Sequence, residues 1–391
     1  MNAIEGQLQI DLFPHKSPDA RVEISSSRPV QASKVMIGKT AEEVLQLLPL
    51  MYNVCGVAQA RTSLKAIHNK LAIAEKRNEQ AARDMLVLVE NAREHLFRIL
   101  VDWPTLFKLA HDKTQLPLLG RLIKEFKQAL FQNGDAFSLH SQLQVESPLI
   151  TQLIAQLEDA LQQAIFHQPT EQWLQINDID TLYNWSKGYD STATNSLSII
   201  CDHGWTSQGF SRLDSLPELD DSQLMQRFND SAAEQFIALP EWDGQRYETT
   251  TLSRQMDQPL IQSLAQEFHN TLITRWVARL LELARIPGQL RELQAIAESS
   301  DAMVTEAQSA NTGLAQTEAA RGRLIHHVEI DNEKISQYQI LAPTEWNFHP
   351  RGLITQSLSN LTTKDPELLQ QLARLMINVI DPCVGYELKV H

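Results

Sequence analysis

Two thiols stand near opposite ends of this chain, each in a setting that could make it a metal ligand. Cys55 lies in Tyr52-Asn53-Val54-Cys55-Gly56-Val57-Ala58. A helical pattern follows at once, and a helix N-terminus favours the thiolate, the form that binds metals. Gly56 lets the backbone turn closely there. Cys383 lies in Ile380-Asp381-Pro382-Cys383-Val384-Gly385, where Pro382 ends a helix and gives the thiol a defined direction. Taken singly, each reads as a buried structural cysteine. Cys201, in Cys201-Asp202-His203, has one histidine beside it, too few ligands for zinc. No Gly-rich phosphate loop, Gly-x-Ser-x-Gly or His-Glu-x-x-His occurs, so the common nucleotide and hydrolase chemistries have no support.

The elements that must hold these thiols are mainly helical. Glycine is scarce, 14 of 391 residues, which disfavours a turn-rich β architecture. Apolar residues alternate over 4–12 as in a half-buried strand, and 21–24 reads as its return strand. Leu64, Ile67, Leu71 and Ile73 share one helical face, and a longer helix runs from Met85 to Leu100. Further helices are expected over 118–132, 148–166, 258–285 and 366–380. The last opens with Asp365 as N-cap and Pro366 in the first turn. A β-hairpin is expected from 324–330 and 335–341 across a polar turn. The stretch 168–256, rich in Trp, Ser, Asp and Thr, reads as an irregular covering insertion within one unit spanning 1–391.

Lys and Arg number 34 against 48 Asp and Glu, a formal charge of −14, which argues against a non-specific nucleic-acid binder. No apolar run is long enough for a membrane span, and residues 1–6 lack the pattern of a secretory signal. Three cysteines cannot make a disulfide framework. A cytoplasmic location is the expectation.

The two cysteine segments resemble the two halves of the metal site in nickel–iron hydrogenase large subunits. There an early Cys-Gly-x-Cys and a terminal Asp-Pro-Cys-x-x-Cys-x-x-His supply four thiolates. Ile4-Glu5-Gly6-Gln7-Leu8 resembles that family's Ile-Glu-Gly-His-Leu, and Tyr247-Glu248-Thr249-Thr250-Thr251-Leu252-Ser253-Arg254 is a fainter match to Glu-Val-Gly-Pro-Leu-Ala-Arg. Thr317-Glu318-Ala319-Ala320-Arg321-Gly322 resembles Thr-Glu-Ala-Pro-Arg-Gly. Pro343-Thr344-Glu345-Trp346-Asn347-Phe348-His349-Pro350-Arg351 resembles Pro-Thr-Thr-Trp-Asn-x-x-Pro-Arg. The segments keep the family's order. The resemblance implies a mainly α fold (α+β with small β elements), a large-subunit-like helical bundle.

The departures carry the functional expectation. Ala58 and Tyr386 stand where each motif would place its second cysteine, Asn53 replaces an Arg, and Thr62 a His. Two thiolates cannot supply a four-sulfur nickel site, so neither nickel nor hydrogenase catalysis is expected. The resemblance assigns Arg321, Pro343 and Thr344 to the pocket for iron-bound cyanide. Such a pocket with half the thiolates resembles HupK/HoxV-type hydrogenase maturation scaffolds. It implies that Cys55 and Cys383 hold an Fe(CN)2(CO) unit transiently and pass it to a hydrogenase large subunit. The partners would be that subunit and the maturation proteins that build and deliver the unit. Glu5 matches a magnesium-sharing carboxylate of the family, and Lys389 stands at the terminal His position. Either its ammonium replaces the ion or His391 reaches the site. The end at His391 implies no long removable extension. His326 reads as structural and His349 as a neighbour of the site. The rivals are a divergent metal oxidoreductase and a metal-free structural or interaction subunit.

Overall fold

Alternating burial of Leu8, Ile10 and Leu12 makes β1 (Gln7–Leu12), which pairs antiparallel with β2 (Val22–Ser26). A computed structural model of the chain describes residues 6–299, 304–305 and 311–391. In chain order the remaining strands are β3 (Glu75–Lys76), β4 (Val304–Thr305), β5 (Leu314–Ala319), β6 (Gly322–Asp331), β7 (Lys334–Leu341) and β8 (Gly385–Val390). The expected hairpin is β6–β7, and β5 adds a third antiparallel strand. β8 lies parallel to β1, in register from Gln7↔Gly385 to Leu12↔Val390. The two chain ends therefore meet in one sheet, ordered β2-β1-β8.

Helices build most of the rest. α1 (Ala41–Met51) begins at a Thr40–Glu43 capping box, and α2 (Gly56–Leu71) and α3 (Arg77–Phe97) follow. The 26-residue helix Leu272–Ala297 packs along α3 and is buried nearly all round. Trp103 and Trp276 stack at 3.8 Å in this core. The helix Pro366–Ile380 has the expected bounds, with Asp365 accepting from the N–H groups of Glu367 and Leu368. The single helix expected over 258–285 is two, Pro259–Phe268 and Leu272–Ala297. His269 at φ 62° breaks the path between them.

The stretch 168–256 departs most from expectation. It contains the helices Thr170–Trp173, Ile179–Gly188, Thr192–Asp202, Asp221–Asn229, Ala233–Ala238 and Thr251–Gln255. Its Ser, Asp and Thr content is partly cap chemistry, since Asp178, Ser191 and Asp220 each accept from a first-turn N–H. Trp173, Trp185, Leu197 and Ile200 belong to the main core. Leu224, Phe228 and Trp242 pack with Leu314, Ile325 and Leu341 of the β5–β7 sheet. This stretch is built into the bundle, not laid over it. No helix among the described residues is long and apolar enough to cross a membrane.

Candidate functional site

Cys55 ends the short 3-10 turn Asn53–Cys55 and is the N-cap residue of α2. Cys383 lies between the helix Pro366–Ile380 and β8. Asp381, at φ 67°, ends that helix by donating its N–H to the Ile377 carbonyl at 2.8 Å. The pairing of β8 with β1 fixes the chain on the other side. Both thiols line one cavity of about 30 Å³, with Arg28, Tyr52, Gln59 and Arg321.

The two thiols face the same cavity and act on each other's protonation. Cys383 first, and burial with it, push the Cys55 thiol well up. Cys55 in turn pulls Cys383 down, and Arg321, Arg28 and the Thr344 hydroxyl reinforce the shift against burial. The helix N-terminus was expected to favour a thiolate at Cys55. In the fold the shift favours the thiolate at Cys383, where Cys55 acts first and Arg321, Arg28 and the Thr344 hydroxyl add to it against burial.

Arg321 comes from the turn between β5 and β6 and is 3 % exposed. Its Nε donates to Asp381 Oδ1 and its Nη2 to Glu94 Oε2, both at 3.1 Å. Nη1 is buried with no partner among the described residues. Asp381 also meets Arg98 at 2.8 Å and Arg279 at 3.3 Å. Those cations, Arg321 first, hold its carboxyl far below the usual range although burial opposes them. Pro343 opens the helix Pro343–Asn347 and lines the cavity. Thr344 follows it, and its hydroxyl accepts from the Cys383 N–H at 3.1 Å. Asn347 joins the middle segments, accepting from Thr249 N at 2.9 Å and donating to the Arg321 carbonyl at 3.1 Å.

Arg28 had no signal in the sequence. Its Nε lies 3.2 Å from Glu345 Oε1, and its Nη1 is buried without a partner among the described residues. A clue lies in Gly6. At φ +71°, a Cβ there would sit 2.6 Å from Arg28 Cα, so the glycine lets the Arg28 backbone cross the start of β1.

Behind Cys55 a polar chain runs into the core. Gln59 Nε2 lies 3.7 Å from Cys55 Sγ, and its Oε1 lies 2.9 Å from His326 Nε2. His326 Nδ1 is 2.9 Å from Tyr338 Oη, which is 2.7 Å from Ser63 Oγ. Glu90 accepts from Val57 N at 2.8 Å and Ala58 N at 2.9 Å. Burial pushes its carboxyl up to about 7 despite those donors.

Residues 201–387 match the nickel-dependent hydrogenase family. The hydrogenase expression/formation protein HupK of Azotobacter vinelandii is 28% identical over 386 residues, covering 98% of each chain. HoxV of Cupriavidus necator, also named a hydrogenase expression/formation protein, is 26% identical, covering 93% of this chain and 91% of its own. The solved Ni-Fe-Se hydrogenase of D. vulgaris Hildenborough superposes with a TM-score of 0.62 at 16% identity, covering 93% of this chain and 92% of its own. The chain is a large-subunit-like relative of HupK and HoxV. The shared fold is that of the hydrogenase large subunit, and the two relatives matched over more than nine-tenths of the chain are themselves named hydrogenase expression/formation proteins.

Against that family the two replaced positions are now concrete. Ala58 is fully buried beside Ala319, Leu324 and Ala342, so apolar packing fills the place of a second thiol. Tyr386 sits half-buried on β8 against the main core and does not line the cavity. Among the described residues no group of three or more His, Cys, Asp or Glu could hold a metal ion. Two sulfurs with unused guanidinium N–H groups suit a metal that brings its own anionic ligands.

Other expected residues lie elsewhere. Lys389 is exposed, 3.3 Å from Glu387, and His391 bonds Asp11 at 2.7 Å while stacking on Phe13. β8 carries both along β1, and neither lines the thiol cavity. Glu5 lies outside the described residues. His349 accepts from Arg351 N at 3.0 Å and does not line the cavity. Cys201 packs half-buried against the core, where burial pushes its thiol up to about 11.

Proposed function

We propose that this chain is a non-catalytic scaffold of hydrogenase formation. It receives an Fe(CN)2(CO) unit between Cys55 and Cys383 and passes it to the large subunit of a nickel–iron hydrogenase. One observation carries the reading: two thiols from opposite ends of the chain meet beside a buried guanidinium whose Nη1 has no partner among the described residues.

The cargo is a soft, low-valent iron that prefers sulfur ligands. Cys383 offers a thiolate, and loading expels the remaining proton from the pair. Arg321 Nη1 donates to a cyanide nitrogen, a charge-assisted bond in a nearly dry site. Pro343 walls the same cavity. The Thr344 hydroxyl lies over the Cys383 loop, where it holds the sulfur. Two protein ligands favour holding followed by release. The volume has room for about two waters, which disfavours an organic substrate and suits compact diatomic ligands. Half-buried Arg28 and Tyr52 form the wall that must give way on loading.

The test is an anaerobic infrared spectrum of protein purified from cells making the full maturation set, with metal analysis alongside. Cyanide and carbon monoxide bands with iron and without nickel support the proposal, and Cys55→Ala and Cys383→Ala should abolish them. A spectrum empty of both bands would sink it and leave a metal-free interaction protein. Bands accompanied by nickel would favour a divergent oxidoreductase.

A further inference from the structure

We infer that Arg28 is a second anion-binding residue of the thiol cavity, its free Nη1 donating to one iron-bound cyanide while Arg321 serves the other. This rests on the iron-carrier reading above and adds a contact that the motif resemblance does not contain.

The sheet explains how Arg28 gets there. Gln7, at the start of β1, pairs with Gly385 of β8, and the Gln7 carbonyl accepts from Ser27 N at 2.9 Å. Cys383 lies two residues before Gly385, and Arg28 lies one residue after Ser27. One end of one three-stranded sheet thus delivers both residues to the same cavity. Gly6 permits this approach, as its missing Cβ leaves room for the Arg28 backbone.

The guanidinium is anchored at Nε, and the residue lines the cavity. Glu345, next to Thr344, holds Nε at 3.2 Å, and the side chain is only 16% exposed. Leaving an N–H unpaired on a guanidinium this buried is costly. Nη1 has no partner among the described residues, as is also true of Arg321 Nη1. Two separate loops therefore present unused, cationic N–H groups beside the same pair of thiols. That donor set fits a cargo with two compact anionic acceptors. Arg28 also borders a neighbouring cavity of about 30 Å³ lined by Pro29, Ser33 and Glu345.

The experiment is the infrared spectrum of the full chain loaded in cells with isotope-labelled cyanide, for wild type, Arg28→Lys and Arg28→Gln. Circular dichroism first establishes that each variant is folded. Loss of the Arg28 contact should shift one cyanide band and leave the other in place, with Arg28→Lys shifted less than Arg28→Gln. If Arg28→Gln loses its iron altogether, recovery of a single shifted band in Arg28→Lys supports the inference, and recovery of unshifted bands overturns it. Unshifted bands in a loaded Arg28→Gln also overturn it, while leaving the carrier function intact. Absence of bands in the wild type overturns both, and so separates the two failures.

Discussion

The backbone N–H of Cys383 donates to the hydroxyl of Thr344 at 3.1 Å. That contact ties the terminal loop to the helix Pro343–Asn347 and leaves the hydroxyl hydrogen free for the Cys383 sulfur. Thr344→Val removes both roles at nearly constant volume. We expect a loss of about 1–3 kcal/mol from the unsatisfied N–H. Alkylation of Cys383, followed by peptide mass against pH, should move its midpoint upward. An unmoved midpoint would mean that Thr344 does not act on the thiolate.

Asp381 serves Arg321, Arg98 and Arg279 from a 4 % exposed position. Asp381→Asn keeps the shape and removes the charge that those buried guanidinium groups share. A loss of roughly 3–5 kcal/mol is expected, as for one partner taken from a buried ion pair. Urea unfolding measures it, and a change under about 1 kcal/mol would show that water compensates the cations.

Gly322 ends the Arg-Gly pair at φ +128°, and a Cβ there would fall 1.6 Å from the Thr249 carbonyl oxygen. Gly322→Ala cannot be accommodated by a side-chain shift, because the obstacle is backbone. Destabilisation above about 4 kcal/mol is expected, with β6 displaced or the protein insoluble. Near-wild-type solubility and circular dichroism would refute the close approach.

Stability should fall on the acid side from near neutrality. Burial holds His326 down to about 3 and His68 down to about 4, against 6.5 for a free imidazole. Both stay neutral in the fold and take up protons on unfolding, so stability is present above pH 6.5 and is lost as pH falls toward 4. Glu90 has the opposite sign. Its raised carboxyl, about 7 against 4.5, favours the folded form at low pH and loses that contribution between 4.5 and 7. Two imidazoles outweigh one carboxyl, so the net slope is positive between pH 4.5 and 6.5. Below 4.5, Glu282 adds to the loss. Burial opposes its charge, but Arg254 and His95 hold it down to about 2. Denaturant melts across this range should show the slope, and His326→Gln should flatten it by about one proton, or roughly 1.4 kcal/mol per pH unit. An unaltered slope in that variant would remove His326 from the account.

Local pattern in the sequence determined much of this protein. Alternation at Leu8, Ile10 and Leu12 marked β1, and Asp365-Pro366 marked the start of the last long helix, because strand period and cap chemistry are short-range. The ordered motifs pointed to the hydrogenase large-subunit fold, which the structural neighbours share. Local pattern failed where the controlling partner is distant in the chain. The helices of 168–256 are short and capped by their own polar residues, so they showed little periodicity. β8 has half its residues exposed and is a strand through its pairing with β1, far away in sequence. The same pairing decided the site. It left Lys389 and His391 off the cavity lining and brought Arg28 to it. Which thiol holds the charge was likewise a tertiary matter. Helix position favoured Cys55, but in the fold Cys55 itself, Arg321, Arg28 and Thr344 pull Cys383 down. Residue type can specify a possible ligand, whereas the field at its sulfur is a sum over neighbours that only the folded chain assembles.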